Sequence, residues 1–151
     1  MLTFVHNAGT GDDNVLNQVD LTTISQDECR ALDRYYANTL TNNMLCAGHM
    51  PGGQGTCFGD SGGPLVCNCG DRWWVHGVFS VVVWPLSNPR ECAHSNWPPI
   101  FANVVSLLPW IEAKTGSQCD HFNQCHGRRE GGQGDTTLGN SHVEKKLGVF
   151  G

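Results

Sequence analysis

Apolar residues in this chain come in short runs cut by glycine and proline, the pattern of a β-rich domain with few helices. Val15, Val19 and Leu21 share one face of a strand predicted over Val15–Leu21. Further strands are predicted at Asn42–Gly48, Pro64–Cys67, Trp73–Val83 and Ile100–Val105. The Trp73–Val83 run is almost continuously apolar, which predicts a barrel strand packed on both sides. Met1–Asp13 reads as a strand end followed by a flexible loop, since Gly9-Thr10-Gly11-Asp12-Asp13 is turn chemistry.

Two segments carry helical signals instead. Ser25-Gln26-Asp27-Glu28 has a serine followed three residues on by glutamate, a capping box. The helix it starts is predicted to run to about Tyr36, with Cys29, Leu32 and Tyr36 on one face. Leu107–Lys114 predicts a terminal helix, with Pro109 tolerable near its first turn. Trp84–Pro99 reads as a proline-broken insertion. From His126 to Gly151 the chain is glycine-rich and polar with few apolar anchors, which predicts a disordered tail.

A length of 151 residues allows one domain with a real core. The formal net charge of −5, without a basic stripe, argues against a nucleic-acid partner. The apolar runs are too short to span a bilayer, and Met1–Val5 lacks the features of a signal peptide. Pro51-Gly52-Gly53-Gln54-Gly55 lacks the lysine a phosphate-binding loop requires. Eight cysteines point to an oxidising compartment. Cys119, His121, Cys125 and His126 contain zinc-ligand chemistry, but their spacing is not a standard finger and disulfide or free thiol is the preferred reading. No metal or other cofactor is therefore expected.

The chemistry concentrates in Cys57-Phe58-Gly59-Asp60-Ser61-Gly62-Gly63-Pro64. Serine needs activation to act as a nucleophile, and its attack creates negative charge that must be received. Glycines allow sharp turns and close approach to a substrate, and turn N–H groups can point at an oxyanion. The run Gly59-Asp60-Ser61-Gly62-Gly63-Pro64 resembles the nucleophile motif of chymotrypsin- and trypsin-like serine proteases. The resemblance extends from about Asn14 to about Gly116. Its landmarks are Cys29, Met44-Leu45-Cys46-Ala47-Gly48, Cys57, Pro64-Leu65-Val66-Cys67, Gly77-Val78-Phe79-Ser80, Cys92 and Trp110-Ile111.

The resemblance implies an all-β fold, the second six-stranded antiparallel barrel of such a protease, with one short intermediate helix and a C-terminal helix. Residues 1–116 would form this partial protease domain and 117–151 the tail. Ser61 would be the nucleophile, and the N–H groups of Gly59 and Ser61 the oxyanion hole. Asp60 would be the carboxylate that pairs with a new N-terminal amine after zymogen cleavage. Gly55 and Thr56 would form the floor of the specificity pocket, Phe58 its rim, and Val82 and Pro99 its walls. Gly55 stands where trypsin-like members place an aspartate, so arginine and lysine are not the expected substrates. Bulk at Val82 and Pro99 implies small aliphatic residues or a closed pocket. Disulfides Cys29–Cys46 and Cys57–Cys92 are implied, while the usual partner of Cys67 would lie upstream of Met1.

A complete two-barrel protease has roughly 200–250 residues, so the resemblance covers its C-terminal half. The family's histidine base and orienting aspartate are expected upstream of this sequence. His6, His49, His76, His94, His121, His126 and His142 all lack the family motif for the base. The expected lineage is a secreted serine endopeptidase acting on proteins or peptides. The chain alone is expected to be inactive, with the first protease half as its partner and an exposed barrel face prone to aggregation. The alternative from another class is a non-catalytic protease-like barrel that binds a partner.

Overall fold

A computed structural model describes residues 18–69, 72–87, 91–117 and 147–149. The expected strand end at Met1–Asp13, and the Cys119, His121, Cys125 and His126 group, lie outside the described residues. Five strands form a curled antiparallel sheet: β1 (Asp20–Ile24), β2 (Met44–Gly48), β3 (Pro64–Cys69), β4 (Arg72–Val81) and β5 (Ile100–Asn103). Their spatial order is β1-β2-β5-β4-β3. A short strand, Leu147–Val149, pairs with both β3 and β1 and closes the sheet on itself. It lies in the stretch expected to be a disordered tail. Composition does not register cross-strand pairing between distant segments, and that pairing is what makes these residues a strand.

Strand alternation divides the apolar residues between two cores. Leu45 and Ala47 of β2 and Phe101 of β5 point into the barrel with Val19, Leu21, Leu65, Cys67 and Phe79. Cys46 and Ile100, one position out of phase, point the other way and pack with Cys29, Tyr36, Leu40 and Val83. The register Leu45↔Phe101 and Cys46↔Ile100 keeps each set on its own face. Phe79 and Phe101 meet with ring centroids 5.5 Å apart. Gly77 is needed beside Phe101, because a Cβ there would lie 3.1 Å from the Phe101 Cβ.

β4 departs from the sequence expectation. It is not packed on both sides: Trp73 and Val75 are exposed, and only Gly77 and Phe79 are buried. Its outer face is open at Trp73 and Val75 and becomes covered toward the end of the strand, where Val81 packs with Cys46 and Ile100.

The predicted helix from Ser25 to Tyr36 is two helices, α1 (Gln26–Leu32) and α2 (Arg34–Thr39). Asp33 breaks them by taking an extended backbone, φ −160° and ψ 158°, and accepting a 2.8 Å hydrogen bond from the Tyr35 N–H. An aspartate that can cap a new helix competes with continuing the old one. The capping box at the start of α1 forms as expected. Ser25 Oγ accepts from the Glu28 N–H at 3.2 Å, and Glu28 Oε2 accepts from the Ser25 N–H at 3.2 Å. Ser25→Ala is expected to cost about 1 kcal/mol in urea unfolding. Gln26 Nε2 ties α1 to the Met44 carbonyl at the start of β2, and the disulfide Cys29–Cys46 joins the same two elements.

The C-terminal helix α3 (Val104–Thr115) begins earlier than its sequence predicts, because Asn103 caps it through Ser106. Pro109 consequently sits inside the helix rather than in its first turn.

Candidate functional site

The serine lies in a turn that leads into β3. Three local bonds set its path. The Asp60 N–H reaches the Cys57 carbonyl at 3.2 Å, the Gly63 N–H reaches the Asp60 carbonyl at 2.9 Å, and the Gly62 N–H reaches the Phe79 carbonyl of β4 at 3.0 Å. Gly59 at φ 98° and Gly62 at φ 85° occupy conformations that a side chain would strain. Ser61 is exposed between them. Among the described residues, no hydrogen bond uses the N–H of Gly59 or of Ser61. Two backbone donors on either side of Asp60 are thus left for an external acceptor, and an oxygen gaining charge during attack on a carbonyl is such an acceptor.

Asp60 points the other way. It is buried, and its Oδ2 accepts the Cys57 N–H at 2.7 Å. Burial pushes its carboxyl from an ordinary 3.8 up to about 6, against the opposing pull of the Cys57 N–H. The folded protein therefore holds this proton more tightly than the unfolded chain. The stability it contributes is full below about pH 4 and is lost as pH rises through about 6. In urea unfolding between pH 4 and 7.5, the unaltered chain is expected to lose on the order of 2–3 kcal/mol relative to Asp60→Asn. A difference that grows in the opposite direction would refute this account of Asp60.

The floor assigned by resemblance is a packed interface. Gly55 and Thr56 are both buried. A Cβ on Gly55 would lie 3.0 Å from the Ala93 Cβ, so glycine lets the two segments close. The Cys57–Cys92 disulfide and the 2.8 Å bond from the Gly53 N–H to the Ala93 carbonyl hold them together. Ala93 and Asn96 have φ of 54° and 61°, so this segment turns sharply where it meets the 50–57 loop.

The remaining expected positions separate. Phe58 is half exposed beside Gly59, and its ring lies 5.6 Å from that of Trp84. Val82 is half-buried; it packs against the barrel core and lines an open cavity of about 700 Å³. Pro99 is buried against Gly48, and its carbonyl accepts the Ala47 N–H at 3.4 Å. The cavity is bordered by Asp33, Tyr35, Trp84, Leu86 and Trp97, which sequence reasoning did not assign to a site. The signal was the run Val81-Val82-Val83-Trp84, whose apolar residues continue past the end of β4 at Val81. Tyr36 was expected only as a helix-face residue. Its hydroxyl instead donates to the Pro98 carbonyl at 2.8 Å, and burial raises its pKa. That bond ties α2 to the segment preceding β5.

Both disulfides implied by the resemblance are present, and Cys67 is buried in the barrel core. No group of three metal-ligating side chains occurs among the described residues.

A curled antiparallel sheet, a helix braced to it by a disulfide, and an exposed serine in a glycine turn over a buried aspartate are features of a trypsin-like serine protease barrel. The sequence profile described as Trypsin matches residues 4–111, and the chain belongs to that family. It is also similar to human transmembrane protease serine 5, with 47% identity over 76 residues. That match covers 50% of this chain and 15% of the relative's length. The relative's name places it among membrane-spanning proteases; no described helix of this chain is long and apolar enough to cross a membrane.

Proposed function

We propose that this chain is the nucleophile half of an extracellular serine endopeptidase. Ser61 Oγ attacks the scissile carbonyl of a protein or peptide, and its proton passes to a histidine supplied by the first barrel. An aspartate from that barrel holds the histidine in the productive tautomer. The Gly59 and Ser61 N–H groups receive the oxyanion. The C–N bond then breaks, the amine leaves with the proton, and water hydrolyses the acyl-enzyme on Ser61. The observation that carries this reading is the exposed Ser61, whose own N–H and that of Gly59 have no acceptor among the described residues, while the neighbouring Asp60 is tied inward.

The chain by itself is proposed to be inactive. Among the described residues, Ser61 makes no hydrogen bond to His49, His76 or His94, and an alcohol without a base stays protonated. The floor at Gly55 and Thr56 offers no carboxylate, which disfavours lysine or arginine at the cleavage position, and the bulk of Val82 and Pro99 favours small aliphatic residues there. Two disulfides suit an oxidising, extracellular setting.

The test is to fold the chain with a first barrel from this family that carries the histidine and aspartate, then treat it with a fluorophosphonate. Labelling of Ser61 in the combined protein, and none in the chain alone, is the expected result. Equal labelling of both would remove the need for an external base. A folded two-barrel protein that stays unlabelled would overturn the assignment of Ser61.

A further inference from the structure

Leu147–Val149 lies beyond the family match, which ends at residue 111, yet it contacts the barrel on two sides. Label this strand β6. It pairs with β1 through Asp20↔Gly148 and Leu21↔Leu147. It pairs with β3 through Leu65↔Val149, Val66↔Gly148 and Cys67↔Leu147. The residues it covers include Leu21, Leu65 and Cys67, all part of the barrel core. Without β6, both β1 and β3 would be edge strands above that core, with backbone donors and acceptors unpaired.

We propose that the gap between β1 and β3 is a strand-accepting slot, and that the chain's own C-terminal segment fills it as an internal plug. Two features support this occupant. Gly148 is in register with a residue on each side, Asp20 and Val66, as a strand inserted between two neighbours must be. The plug is also shorter than its slot: three residues pair against a six-residue β3 and a five-residue β1. A short central strand with a glycine in the middle is held by its neighbours rather than by its own propensity. The slot adjoins the site, because β3 starts at Pro64, directly after the serine turn. The plug therefore braces the strand that follows the serine turn.

The experiment compares the full oxidised chain with Gly148→Pro by amide hydrogen exchange. Proline cannot donate within a paired strand, so it should expel the plug. Protection is expected to fall by roughly tenfold or more in β1 and β3 and to stay unchanged between β2 and β5. A synthetic peptide with the sequence of residues 141–151, added to the variant, is expected to restore it. Equal protection in both proteins would overturn the proposal. So would protection in the unaltered chain that appears only in a dimer, which would assign the slot to a second copy's segment. Should Gly148→Pro fail to fold, the unaltered monomer decides the matter. Cross-strand proton contacts from Gly148 to Val66 and Asp20 are expected, and their absence would end the proposal.

Discussion

Ser61→Ala is expected to lower kcat of the combined two-barrel protein by about a millionfold, with little change in KM. Nucleophile and base act as a unit in this chemistry, so loss of either removes nearly everything the unit provides. The residual rate, still about a thousandfold or more above water, comes from the oxyanion donors and from binding. That prediction separates two contributions in the present turn. Gly59 and Ser61 keep their N–H groups in the alanine variant, because the backbone path is set by Gly59, Gly62 and the Asp60–Cys57 bond rather than by the hydroxyl. Peptide aldehydes, which need the hydroxyl, should lose binding, while substrate-like peptides should not. A variant that retains more than a few per cent of kcat would show that Ser61 is not the nucleophile.

Replacing Cys57 and Cys92 together by alanine is expected to cost about 4 kcal/mol, against about 3 kcal/mol for Cys29 and Cys46. The difference follows from the spans closed, separations of 35 and 17 residues, since a longer loop loses more freedom when tied. The functional consequences should differ more than the energies. Cys57 precedes the serine turn, donates its N–H to Asp60, and anchors the segment that packs Ala93 on Gly55. Its loss should slow Ser61 labelling in the two-barrel protein at a temperature where the variant is still folded. Loss of Cys29–Cys46 should loosen α1 and leave labelling unchanged. Urea unfolding and labelling rates on the same two variants check both statements. Equal labelling by the two variants would refute the coupling between the Cys57–Cys92 bridge and the turn.

What was legible in the sequence was mostly local. The capping box at Ser25 and Glu28 names its own partners, so it survives unchanged in the structure. The serine turn is legible for the same reason, its glycines marking where the backbone must take positive φ. Asp33 was misjudged because a helix-face pattern continues through it, while the choice to cap a second helix depends on one side chain. β4 was misjudged because an apolar run does not say which of its faces finds a partner. The Leu147–Val149 strand was out of reach, since its pairing joins residues more than seventy positions apart. The apolar cavity beside Trp84 is likewise assembled from distant segments, α2 and the 81–87 and 97 positions.

The contact between Phe58 and Trp84 gives the molecule an optical reporter. One ring belongs to the residue before Gly59 and the other borders the apolar cavity, with centroids 5.6 Å apart. A peptide side chain that enters the cavity meets Trp84 in its lining, which changes the polarity around the indole. Tryptophan emission should then shift on peptide binding, and the part of the shift lost in Trp84→Phe measures occupancy of the cavity without any need for turnover.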